Sequence, residues 1–279
     1  MHIQTLTGID MQIITDCFNL AFANYFVKFN ATVEYLENRW AAANVDYSLS
    51  FGVFDNEQLV GFAIHAVDMR KGELMAFDVG AGVIPSHRGR RLIQQMYDFG
   101  LPLFRERGIQ QVGLEVIQQN KKAIKAYKRV GFTIDRTLNC YRLNDAKILS
   151  INLKNVKIYR SEHLEVEQIR ACHDFLPPWE NTLMCINRKL KHLDLWEVRK
   201  HDNWYGYAIV DKTGFIIQFG ILPEHRKQQL GTLLFSTLAT QYRNLRVVNI
   251  DSHSTNTIQF LEKLGFQNTI NQYEMYWKF

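Results

Sequence analysis

Two short stretches concentrate residues that could do chemistry. Residues 82–92 read GVIPSHRGRRL, and residues 220–230 read GILPEHRKQQL. In the first, Arg88, Arg90 and Arg91 surround Gly89, where a strand-like run (AFDVGAGVI, 76–84) gives way to a helical pattern beginning with Leu92 and Ile93. Pro85 stops the strand's hydrogen bonding. Leu92, Met96, Phe99 and, past a break expected at Gly100-Leu101-Pro102, Leu103 mark the helix's apolar face. First-turn N–H groups lack intrahelical acceptors, and the helix dipole adds partial positive charge. The strand, turn and helix start therefore suit an anion, and three guanidinium groups suit a pyrophosphate. Acids able to move protons lie nearby: Asp78 in the strand run, Glu115 in the next apolar run and Glu73 upstream.

The elements that must position these residues occur twice. Residues 48–67 and 195–210 each read as a hairpin, with turns at Asp55-Asn56 and Asp202-Asn203. The second strands align as Gly61-Phe62-Ala63-Ile64 and Gly206-Tyr207-Ala208-Ile209. Downstream, residues 111–132 and 246–266 both pass from an apolar strand through a polar turn into a helix ending at Gly-Phe. Helices are expected near 9–23 and 33–43, with a corresponding region at 162–190. A strand pair is expected over 133–143 and again over 268–279. Matched blocks in the same order mark an internal duplication, with domains at 1–147 and 148–279.

The chain of 279 residues is long enough for two cores. Its hydrophobic content of 47% and charged content of 22% are those of an ordinary globular protein. A net charge of +5 is too small to argue for nucleic acid, whose phosphate backbone calls for a clustered basic face. No apolar run reaches bilayer-spanning length, and the start lacks a signal-peptide pattern. Cys17, Cys140, Cys172 and Cys185 form no C-x-x-C pair, so buried thiols and a reducing cytoplasm are expected, with no metal.

The motifs resemble those of the GCN5-related N-acetyltransferase (GNAT) superfamily. Its signature often reads V-x-P-x-x-R-G-x-G-hydrophobic-G/A, followed later by Asn, Ala-x-x-x-Tyr and Gly-Phe. This chain supplies Val83, Pro85, Arg88, Gly89, Asn120, Ala123, Tyr127, Gly131 and Phe132. The resemblance covers nearly all of both halves. It implies an α/β fold of the α+β type: two tandem domains, each a mixed, mostly antiparallel sheet flanked by helices. It also implies that acetyl-CoA lies where the fourth and fifth strands splay apart. Val83, Ile84, Arg88, Gly89, Arg90, Arg91, Leu92, Ile93 and Asn120 would contact it. Both copies depart from the signature. Arg91 and Ile93 fill the two small positions in copy one. Copy two has Gln229 but keeps Gly231. Backbone donation by Arg91 needs no glycine where φ is negative, as expected at a helix start.

Amide formation from a thioester requires a neutral amine, a donor to the oxyanion and a proton for the thiolate. By resemblance, Tyr127 supplies the proton. Copy two has Leu261 in that slot. Asp78, Glu115 and Glu73 remain alternative bases. The expected function is acetyl transfer from acetyl-CoA to a primary amine of a small molecule, in copy one, with copy two degenerate or regulatory. Two alternatives stay open: a non-catalytic acyl-CoA sensor or scaffold, and a protein N-terminal or lysine acetyltransferase. The aromatic segments 18–40 and 173–196 would shape the acceptor side. Both a monomer with paired halves and a homodimer remain open.

Overall fold

A computed structural model describes residues 1–26, 30–70, 72–146, 151–163, 165–201 and 203–279. Asp202 and the expected boundary at 147/148 lie outside the described residues. The chain divides into two compact units, Met1–Arg136 with Tyr273–Phe279, and Thr137–Gln272.

The first copy runs β1 (His2–Thr5), α1 (Met11–Phe22), α2 (Val33–Ala43), β2 (Phe51–Asp55), β3 (Gln58–Arg70), β4 (Glu73–Val83), α3 (Leu92–Glu106), β5 (Gln111–Ile117), α4 (Lys121–Val130) and β6 (Thr133–Leu143). The second runs β7 (Val156–Ser161), α5 (Val166–Ala171), α6 (Leu183–Arg188), β8 (Leu193–Lys200), β9 (Asn203–Asp211), β10 (Phe215–Ile221), α7 (Leu230–Gln241), β11 (Leu245–Asp251), α8 (Thr255–Lys263), β12 (Gln267–Asn268) and β13 (Gln272–Lys278). Local chemistry sets these limits. Asp10 caps α1 by accepting the Gln12 N–H, Thr32 caps α2 through Tyr35, and Asn44 ends α2 in the left-handed region.

In the first unit the strand order is β1-β2-β3-β4-β5-β13. Its first four strands pair antiparallel, and β4 pairs parallel with β5. In the second unit the order is β7-β8-β9-β10-β11-β6, with β12 also on β6. Here β10 and β11 form the parallel pair. The final strands are exchanged between copies: β13 completes the first sheet, and β6 completes the second. Residues 133–143 form one continuous strand rather than the expected pair, despite Asp135 and Asn139 within it, because residues 138–143 pair along β11.

Helix α3 corrects another expectation. It continues through Gly100-Leu101-Pro102 without a break. Pro102 lies on an exposed side, where its missing N–H is tolerated. Gly100 is required by packing, since a Cβ there would stand 2.1 Å from the Phe51 ring.

Candidate active site

Both parallel pairs open in the same manner. Pairing of β4 with β5 ends at Asp78 opposite Leu114, although both strands continue. Pairing of β10 with β11 ends at Ile216 opposite Val247. A bulge accompanies each opening, at Val79 in β4 and Ile217 in β10, where the register to the preceding strand shifts. The bulge turns a strand away from its neighbour and leaves a wedge between them.

The shared skeleton Pro-x-His-Arg has a positioning role in both copies. Arg88 donates from Nε to the Val83 carbonyl (3.0 Å) and from a terminal nitrogen to the Ala21 carbonyl (2.8 Å). Arg226 repeats this with Ile221 (2.9 Å) and Cys172 (3.1 Å). Each arginine thus ties the end of the opened strand to the end of the first helix. His87 lies 3.0 Å from Asp55, and His225 packs edge-on against Tyr205. All three arginines, Arg88, Arg90 and Arg91, are exposed, but the guanidinium of Arg88 is engaged by these backbone carbonyls.

The following turns share one backbone. Gly89 and Arg91 have φ of +82° and +58°; Lys227 and Gln229 have +60° and +63°. Arg91 thus takes the left-handed conformation, not the negative φ expected. It is the N-cap of α3, one residue before helical geometry starts. A glycine in this slot relieves Cβ crowding with the carbonyl, and this chain does without one in both copies. Ile93 also has a packing partner in the sequence. Gly231 leaves space that the Phe260 ring enters, within 3.0 Å of a built Cβ, while the residue in the Phe260 slot of copy one is Ala126. Bulk has moved from α8 to α3 between the copies.

Asp78 is buried on the α3 side of the first sheet. Its Oδ2 accepts the Tyr97 hydroxyl (2.8 Å), and its Oδ1 accepts the Gly80 N–H (2.9 Å). Burial pushes its carboxyl up to about 6, against the pull of those two donors. His65 adjoins them, with Nε2 3.4 Å from the Tyr97 oxygen and Nδ1 2.7 Å from the Leu49 carbonyl. Burial pushes His65 down to about 3, so its ring is neutral. Tyr127 joins this side. Burial first, then the Asp78 charge, raises its hydroxyl well above the ordinary tyrosine value. Asn120 caps α4 by accepting the Ala123 N–H (3.1 Å), and its side chain also hydrogen-bonds Tyr25. Strand alternation turns Glu115 away from Leu114 and hence from the face that carries Asp78. Glu73 sits at the exposed start of β4. The fold therefore gathers Asp78 with Tyr127 and leaves both glutamates elsewhere.

The matching positions in the second unit are Val210 for His65, Ile216 for Asp78, Phe235 for Tyr97 and Leu261 for Tyr127, all buried. On the opposite face the contrast reverses. The first unit packs Phe22, Phe62 and Gly80 there, with Phe18 against both rings. The second unit places His173, Tyr207 and Gln218 at those positions. Gln218 Oε1 lies 2.9 Å from the Tyr207 hydroxyl and 3.3 Å from His173 Nε2, and its Nε2 donates to the Asn181 carbonyl. From the sequence, His173 falls in the expected acceptor segment and Tyr207 in the repeated hairpin with no role assigned, while Gln218 and His65 draw no notice. The signal for the last two is a polar residue inside an apolar run: Gln218 in FIIQFGI, and His65 in GFAIHAV.

A cleft of about 340 Å³ opens between β10 and β11. Arg226, Lys227, Gly231 and Asn256 line it, as do His173 and Gln218. Its lining contains the signature turn, the start of α8 and the polar trio of the opposite face.

The acetyltransferase (GNAT) family model matches residues 14–132 and again residues 167–266. The chain belongs to this family, as a tandem member. Among curated relatives, N-alpha-acetyltransferase 30 of Schizosaccharomyces pombe is 28% identical over 96 residues, covering 34% of this chain and 64% of the relative. Mycothiol acetyltransferase of Corynebacterium glutamicum is 35% identical over 82 residues, covering 29% of this chain and 27% of the relative. This chain thus spans less than two thirds of either relative. A tandem GNAT protein from the clavulanic acid biosynthesis pathway has the same fold, with a TM-score of 0.76 at 13% identity, covering 99% of this chain and 98% of that one. A GCN5-related N-acetyltransferase from Sphaerobacter thermophilus gives 0.71 at 13% identity, covering 99% and 95%.

Proposed function

We propose that this protein is an acetyl-CoA-dependent N-acetyltransferase acting on a primary amine of a small molecule, and that the second unit holds the acyl donor. The observation that carries the reading is the cleft between β10 and β11, which joins the signature turn to His173 and Gln218. Its residues fit a CoA thioester. The α7 first-turn N–H groups with Lys227 suit the pyrophosphate. When bound, the thioester supplies an activated acyl group. Pro177, Pro178 and Asn181 line the cleft alongside Gln218, which favours a small amine over a peptide needing an open groove.

Calorimetry with CoA on the full chain tests the seat. Lys227→Glu, an exposed change at the cleft mouth, should weaken binding about tenfold or more, whereas Arg90→Glu should leave it within about twofold. The opposite ranking would move the donor to the first unit. Thiol release from acetyl-CoA with a panel of primary amines separates an enzyme from a sensor.

A second reading places catalysis in the first unit, with Tyr127 as proton donor and Asp78 as base. Its support is the shared burial of these two residues beside the opening of β4 from β5. Unchanged turnover in Tyr127→Phe would end that reading.

A further inference from the structure

The geometry points to His173 as the general base of the second unit, accepting the amine proton at Nδ1. This rests on the reading that the cleft between β10 and β11 holds the acyl donor.

The hydrogen bonds around Gln218 determine where His173 carries its proton. The Asn181 carbonyl can only accept, so the Gln218 amide must turn its Nε2 toward it. Its Oε1 then faces Tyr207 and His173. An amide oxygen has no proton to give, so both of these partners donate. His173 therefore holds its proton on Nε2, and in the neutral ring Nδ1 carries the lone pair. Among the described residues no protein group hydrogen-bonds Nδ1. His173 lines the cleft together with Ile217, the residue at the strand bulge.

The surroundings keep the ring neutral. Burial lowers its affinity for a proton first; the Gln218 bond opposes this, Arg170 on α5 adds to it, and Asp174 opposes it. Tyr207 faces the same amide from β9, and burial raises its hydroxyl well above the ordinary value, so it contributes no charge. The Cys172 thiol next in the chain is pushed up to about 12 by burial and is likewise uncharged. A neutral imidazole at physiological pH is the form a base requires.

In the proposed step the amine nitrogen bonds to the acyl carbon as the carbon–sulfur bond breaks. The nitrogen's surplus proton passes to Nδ1. The imidazolium then returns that proton to the departing thiolate, directly or through solvent. The products are an amide and a free thiol, and His173 ends neutral. The first unit has Phe22 at this position and no such acceptor.

The test uses the full chain and the His173→Gln variant, which keeps a donor for Gln218 but has no basic lone pair. On unliganded protein, ¹⁵N NMR of the histidines should show His173 as the Nε2–H tautomer, titrating below the ordinary value of 6.5. An Nδ1–H tautomer would overturn the assignment. Calorimetry with CoA should show that the variant still binds the donor, so that a loss of turnover at saturating acetyl-CoA reports the chemical step. In thiol release with an amine panel, the variant should lose about 10²–10⁴-fold in turnover. It should also lose the low-pH fall in rate that protonation of His173 is expected to impose on the wild type. Retained turnover with that acid limb intact would refute the base while leaving the cleft reading standing. Failure of the wild type to bind CoA would instead remove the cleft reading, and CoA binding without turnover of any amine would overturn acyl transfer and the base together.

Discussion

The two units share a backbone and differ in which face of the sheet is polar. In the first, His65, Asp78 and Tyr97 form a buried polar chain beside Tyr127 on the α3 side, while Phe22 and Phe62 fill the opposite face. In the second, Val210, Ile216, Phe235 and Leu261 make the α7 side apolar, and His173, Tyr207 and Gln218 make the opposite face polar. Duplication preserved what shapes the wedge: the bulge, the arginine tie and the left-handed turn. It did not preserve the polar side chains on either face of the sheet beside the wedge. Motif matching reads the α4 tyrosine and favours the first copy. The arrangement of polar groups and open space favours the second.

The contrast can be broken most severely by transplanting the acid. Ile216→Asp places a carboxyl among Phe235, Val210 and Leu261, with no tyrosine hydroxyl to meet it. We expect a loss of about 3–5 kcal/mol in urea unfolding at pH 7. The reverse change, Asp78→Asn, should stabilise the protein at alkaline pH. A carboxyl raised from 3.8 to about 6 is fully favourable only below its unfolded value, and its contribution is lost as pH rises through about 6. The variant should gain up to about 3 kcal/mol at pH 8 and nothing near pH 4. His65 acts with the opposite sign. Its depressed value, about 3, means that stability falls as pH drops from about 6.5 toward 3. Asp78 and His65 therefore oppose each other between about pH 4 and 6, and Asp78→Asn should steepen the dependence that His65 leaves behind.

A smaller effect sharpens the likeness of the two turns. Lys227→Gly and Gln229→Gly should each stabilise by about 0.5–1 kcal/mol, because both residues occupy the left-handed region. Gly89→Lys should cost a similar amount and make the first turn resemble the second. Thermal melts of the full chain would read these differences.

Much of the fold was legible in the residues. Alternation and turn chemistry located the hairpins, and helical spacing located α1 and α2 within two residues. The duplication followed from matched blocks. The exchange of β6 and β13 was not legible, because strand partnership depends on which edge is open and not on the strand's own pattern. The run through Pro102 was misread because a proline on an exposed helix face costs less than one inside. The left-handed φ of Arg91 was missed because an arginine, unlike glycine or asparagine, carries no signal for that conformation. Of the candidate site, Asp78 and Tyr127 could be singled out by residue type and slot, and the fold buries both on one side of the first sheet; Gln218 and Tyr207 gain meaning only through the contacts the fold provides.

The central claim is that the chemistry has moved to the second unit. A crystal structure of the full chain grown with CoA tests it most directly. The account predicts CoA along β10, its pyrophosphate at the turn Lys227–Gln229 and its thiol on the side of Gln218 and His173. CoA bound between β4 and β5 alone, with its thiol beside Tyr127, would contradict it.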